Sequence, residues 1–189
     1  MIPRLAVVLM TFPGVIVHEF AHALFCKLFG IEIYEIRYFK FDPTRPVNSR
    51  AQGPIGYVIS APARNAWQSL MICLGPFIVN TVVGGLIAIP AAIPVFQFGQ
   101  GDALDFFLCW LGISIAMHAF PSPGDADTLW RAIKSPKAPL AAKIVGLPIM
   151  GLIYLGVVGS VAWLDLLYGI AVVGFIPRIL VNFLADFPR

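Results

Sequence analysis

Charge is scarce in this chain. Asp, Glu, Lys and Arg make up 12% of its 189 residues, apolar residues make up 59%, and the mean hydropathy is +0.84. Soluble domains carry about a quarter charged residues and about half apolar ones. A soluble core of this size could not hide so much apolar surface, so a polytopic membrane protein is expected. Cysteine is nearly absent. Cys26, Cys73 and Cys109 lie in apolar segments and form no CxxC pair, which argues against a disulfide framework and for buried, inert thiols. There is no basic run or basic-aromatic array, and a net charge of +3 gives no reason to expect a nucleic-acid partner. No connection is long enough for a soluble sensor domain. The N-terminal apolar run lacks a small-residue cleavage site and continues to Phe29, too long for a signal core, so it is expected to stay as a transmembrane helix.

Long apolar runs are abundant. A spanning helix needs about 20 apolar residues. Residues 5–29, 66–95 and 103–120 each supply one. The stretch 141–184 is too long for one span and divides at Asp165 into 141–163 and 166–184. The expected fold is mainly α, a bundle of about five spans forming one membrane domain over residues 1–189. Pro76 interrupts the second helix, which is expected to end near Pro90. Two polar connections join the helices. In the first, Ile31, Ile33, Ile36, Tyr38 and Phe41 alternate imperfectly with polar neighbours, and GPIGYVIS follows a turn-rich segment. This predicts a β-hairpin over about residues 31–60 at the membrane surface. The second connection covers residues 121–140. The two connections and their edges hold Lys27, Arg37, Lys40, Arg45, Arg50, Arg64, Arg131, Lys134, Lys137 and Lys143. The short connections near Gly101 and Asp165 hold no Lys or Arg. By the positive-inside rule both long connections and the C-terminus face the cytoplasm and the N-terminus lies outside, with Arg4 the one dissenting charge. A cell-membrane location follows, with the polar work on the cytoplasmic side.

Inside the first apolar run stands VHEFAH, residues 17–22. Polar side chains there each cost a few kcal/mol on insertion scales. His18 and His22 are four apart and share one helix face. With Glu19 they form HExxH, two zinc ligands and a general base. The bland alternative is a hydrogen-bonded knot lining a bundle interior. Ligation of a divalent ion offsets the insertion cost better. Catalytic zinc usually takes a third protein ligand. His118 is the only other histidine, and the remaining acids in or near apolar segments are Asp102, Asp105, Asp125, Asp127 and Asp165. The topology places His18 and His22 toward the cytoplasm, with Asp125 and Asp127 on the same side and the other three acids opposite. That selects the stretch MHAFPSPGDAD without choosing between its two aspartates.

HEFAH in a first helix, with PSPGDAD after a later one, resembles the site-2 protease family of intramembrane zinc metalloproteases. There a later helix carries Asn-x-x-Pro-x-Pro followed by Asp-Gly, and that aspartate is the third zinc ligand. This chain has His118, Pro121 and Pro123 at that spacing, then Gly124, Asp125, Ala126 and Asp127. His118 replaces the asparagine, no glycine follows either aspartate, and the two aspartates flank the family position. Asp125 is preferred because the PSPGD turn holds it nearest the helix end. Asp127 is expected to cap a helix starting at Thr128. The family's Gly-Pro-x-x-Asn also has a partial counterpart in LGPFIVN, where Asn80 falls one residue late. That turns it about 100° around the helix and leaves it the role of an interhelical hydrogen bond. His118 supports Asp125, donates to an oxyanion or packs. Pro13 and Gly14 bend the first helix, either to open room beside the metal or as a harmless kink.

The resemblance implies one Zn²⁺ per chain on His18, His22 and Asp125, with Glu19 as general base for a zinc-activated water. The expected partners are the bilayer and a membrane-protein substrate. The substrate would unwind and add as a strand along residues 31–41 or 55–60. Two other classes compete. A non-catalytic zinc-containing binding or structural protein would not need Glu19. A metal transporter would spread polar groups over several helices, whereas residues 141–184 have almost none.

Overall fold

The computed structural model describes residues 4–40 and 55–185. In chain order these form α1 (Arg4–Met10), α2 (Phe12–Leu28), β1 (Ile33–Arg37), β2 (Tyr57–Ser60), α3 (Ala66–Phe98), α4 (Ala103–Met117), α5 (Pro123–Lys134), α6 (Leu140–Gly159) and α7 (Leu164–Ala185). A short 3₁₀ turn, Ser160–Ala162, separates α6 from α7. The architecture is mainly helical with one two-stranded antiparallel sheet. Among the described residues three helical stretches are long and apolar enough to cross a membrane, Ala66–Phe98, Leu140–Ala162 and Leu164–Phe183, and α4 is a shorter apolar helix.

The first apolar run is not one helix. It divides at Thr11, because Pro13 has no N–H to give and its ring crowds the carbonyl four residues back. The hydroxyl of Thr11 donates to the carbonyl of Val7 (2.8 Å) at the break. The α2 helix ends on Gly30, whose φ of +61° suits only glycine well. The N–H groups of Gly30 and Ile31 close the end on the carbonyls of Lys27 and Cys26, a Schellman arrangement. The chain then enters β1, which pairs with β2 from Ile33↔Ser60 to Arg37↔Tyr57, with an irregularity between Ile33 and Glu35. β1 therefore stops at Arg37, and residues 41–54 of the connection, Phe41, Arg45 and Arg50 among them, lie outside the described residues.

Contrary to the expected end near Pro90, α3 runs through Pro76, Pro90 and Pro94 to a left-handed Gly99. Bundle neighbours supply partners that an isolated proline-rich helix lacks. It packs on α2, α4, α5 and α7. At its tightest crossing Gly84 meets Gly112 of α4; a Cβ on either would fall 2.7 Å from the other's carbonyl oxygen. Small residues let helix backbones approach where apolar burial gives no drive against lipid. Ala88, Ala91, Ala92, Cys109 and Val173 form the core beside this crossing. A second core of Leu70, Cys73, Ala126, Leu129, Ile133, Met150 and Ile153 ties α5 and α6 to α3. All three cysteines are free and buried. On α6 and α7, Leu152, Leu155, Val158, Phe175 and Ile179 are 62% to 69% exposed, an outward apolar face suited to lipid.

The second polar connection is itself largely helical. Ser122 caps α5, and Asp125 completes a capping box. Asp127 therefore lies inside the helix rather than before it, which corrects the expected cap at Thr128.

Candidate metal centre

The α2 helix carries His18 and His22 one turn apart, and their Nε2 atoms lie 3.2 Å from each other. The first turn of α5 brings Asp125 to them. Its Oδ1 is 3.2 Å from Nε2 of His22, and its Oδ2 is 3.8 Å from Nε2 of His18. One ligand atom from each residue falls within 4.8 Å of the others. Zinc bonds of about 2.0–2.1 Å at tetrahedral angles put ligand atoms roughly 3.3 Å apart, so the spacing fits zinc.

The hydrogen bonds make the same case by a separate route. Nδ1–H of His18 donates to the carbonyl of His118 (2.7 Å), and Nδ1–H of His22 donates to the carbonyl of Ile72 (3.0 Å). A neutral imidazole has one N–H. With both Nδ1 atoms committed as donors, both Nε2 atoms present lone pairs to each other and to a carboxylate. Three electron-rich atoms converging with no proton among them need a cation, either an added proton or a metal ion.

Asp125 is held by its own helix start. Its Oδ2 accepts from the N–H and the hydroxyl of Ser122, both at 2.7 Å, which leaves Oδ1 toward His22. Burial pushes this carboxyl up; when the histidines take up the added proton, their hydrogen bonds and charge outweigh that and hold it well below the usual carboxylate range. Asp127 is exposed on the far side of the turn. Asp102 and Asp105 form the capping box of α4.

Glu19 is buried, 8% exposed, beside the two histidines. The chain ahead of β2 passes over it at Gly56. A Cβ there would lie 2.6 Å from Cγ of Glu19 and 2.9 Å from its Oε1, so only glycine leaves the carboxylate room. His18, Glu19 and Gly56 open on a cavity of about 700 Å³ whose walls include Val15, Met117, Phe120 and Val157. The cavity reaches as far as Asp165, which the sequence placed apart from the site.

His118 sits at the C-terminal cap of α4, short of the expected helix end at residue 120. Its ring meets Thr11 Oγ1 at 2.8 Å rather than Asp125. The one proton of that hydroxyl already goes to Val7, so Nε2–H of His118 is the donor. Asn80 is fully buried, and its Nδ2 donates to the carbonyls of Gly14, Ile115 and His118 at 3.1, 3.0 and 3.3 Å. The expected interhelical hydrogen bond is present, and it ends on the carbonyl that orients His18. Helix phase alone hides this, because the partner carbonyls come from helix ends. Gly14 makes the contact feasible: a Cβ there would fall 2.0 Å from the carbonyl oxygen of Ser114.

Two histidines and a carboxylate that could hold a metal ion, with a buried glutamate beside them, thus meet within a bundle of apolar helices. The chain belongs to the family described as "Putative zincin peptidase", whose pattern matches residues 11–140, the segment from α2 to the start of α6. No curated protein and no solved structure matches the chain.

Proposed function

We propose that this chain is an intramembrane zinc metalloprotease of the site-2 protease type. The observation that carries the reading is the convergence of His18, His22 and Asp125, each histidine leaning on a backbone carbonyl through Nδ1, next to a buried Glu19 on a cavity. His18 and His22 would hold the ion through Nε2, and Asp125 through a carboxylate oxygen. When bound, zinc supplies an acidified water and a polarised scissile carbonyl. Glu19 takes the proton from the attacking water and passes it to the leaving amine. The apolar walls keep bulk water away and receive side chains of a spanning segment. A helix hides its peptide bonds in its own ladder, so the substrate unwinds and pairs along β2, whose leading residues Ile55 and Gly56 line the cavity beside Glu19. In this topology α2 and α4 join the three longer helices as spans, the N-terminus is outside and the site opens toward the cytoplasm.

The test uses the purified full chain in detergent and then in vesicles with isolated membrane proteins. About one zinc per chain is expected, together with new N-termini within or beside spanning segments of the added proteins. Glu19→Gln should keep the zinc and abolish the new termini. Zinc retained by the parent with no cleavage in any membrane fraction would instead make it a zinc-containing binding or structural protein. No zinc after supplementation would remove the hydrolase reading.

A further inference from the structure

Each imidazole of the pair leans on a backbone carbonyl, and inside a helix such carbonyls are already taken. The N–H of residue i bonds the carbonyl of residue i−4. His118, which receives His18, escapes this because it lies at the end of α4. Ile72, which receives His22, lies well inside α3. The residue four positions later is Pro76, which has no N–H. Pro76 thereby leaves the Ile72 carbonyl without its ladder partner, and Nδ1–H of His22 lies 3.0 Å from it. Pro76 is itself fully buried. A buried carbonyl with no donor is costly, so this bond satisfies the helix as well as the ring.

We infer that Pro76 is a positioning residue for the metal centre: by withholding its N–H it reserves the Ile72 carbonyl for His22 and fixes that ring with Nε2 bare. The inference rests on the zinc reading above only for its consequence, since the tautomer exists without metal. A restored N–H at position 76 would compete for the carbonyl and draw it back toward the helix axis. His22 would then be free to turn or to carry its proton on Nε2, where it blocks ligation. Second-sphere partners of zinc-bound histidine are worth about 10–100-fold in metal affinity.

The same helix supplies the control. Pro90 and Pro94 free the carbonyls of Leu86 and Pro90, which begin about 21 Å further along the helix. If Pro76 acted only by bending α3, Pro90→Ala would be expected to do similar harm.

The experiment is ¹⁵N NMR on metal-free, full-length protein labelled at histidine, with resonances assigned through His18→Gln and His118→Gln. Zinc affinity is then measured by competition with a chelator. The parent should show His22 protonated on Nδ1. Pro76→Ala should lose that signature and bind zinc about tenfold or more weakly, with an unchanged or raised melting temperature because proline disfavours a helix interior. Pro90→Ala should match the parent in both readouts. Three results overturn the inference: His22 protonated on Nε2 in the parent, an unchanged tautomer and affinity in Pro76→Ala, or equal losses in Pro90→Ala. The first needs no variant to fold. A correct tautomer in a protein that cleaves nothing would count against the protease reading alone.

Discussion

At the scale of single residues, the two aspartates of GDAD lie about 200° apart around α5, on opposite sides of it. Asp125 faces the histidines from the capping box, and Asp127 faces outward. Asp125→Asn should therefore lower zinc affinity by at least tenfold and Asp127→Asn should leave it near the parent value, read by metal content and competition titration. If the two effects are exchanged, the third ligand moves two residues. Acid provides a second readout. The carboxyl of Asp125 is held below its ordinary value, so its pairing contributes stability above the unfolded carboxylate pKa of about 3.9 and loses it as pH falls further. The melting temperature of the metal-free protein should drop on acidification below about pH 4, and Asp125→Asn should flatten that drop. An unchanged profile would show that the pairing adds nothing to the fold.

At the scale of elements, the centre is assembled from places where helices begin, end or break. The hydroxyl of Ser122 both caps α5 and holds Asp125. Ser122→Ala should cost about 1 kcal/mol, as a lost N-cap does, and should also weaken zinc binding. A stability loss with intact affinity would separate the two roles. Gly14 lets α2 touch α4, with a would-be Cβ 2.0 Å from the Ser114 carbonyl oxygen. Gly14→Ala should destabilise by about 1–3 kcal/mol, the range of overpacked sites, and displace the carbonyls that Asn80 gathers. Chemical unfolding in mixed micelles would measure it. A neutral Gly14→Ala would mean that the crossing is looser than drawn.

At the scale of the whole molecule, the outward faces of α6 and α7 remain apolar, and α3, though it packs on α2, α4, α5 and α7, also turns Ile78, Val82 and Leu86 outward. Single cysteines at Gln100 and Lys137, in a background lacking the three native ones, should react with an impermeant thiol reagent from opposite sides of sealed vesicles. Labelling from the same side would overturn the five-span topology.

Much of this was legible in the chain. Scarce charge and long apolar runs pointed to a bundle of apolar helices, and among the described residues three are long and apolar enough to cross a membrane. The four-residue spacing of His18 and His22 set a shared face, whereas the last apolar stretch breaks at Ser160–Trp163 rather than at Asp165, which lies in the first turn of α7. Local rules also misled. Proline was read as ending α3, and Asp127 as a helix cap, because each is judged on a few neighbours. The sequence alone thus determined the helical composition, the histidine pair with its glutamate and the short list of third ligands. Only the tertiary structure decided that Asp125 rather than Asp127 meets the pair, that Asn80 and Gly14 steady His18, and that the Ile72 carbonyl is there for His22. Those contacts join residues 35 to 103 positions apart, and all but the Asp125 pair run through backbone carbonyls, which leave no mark in the identity of the side chain beside them.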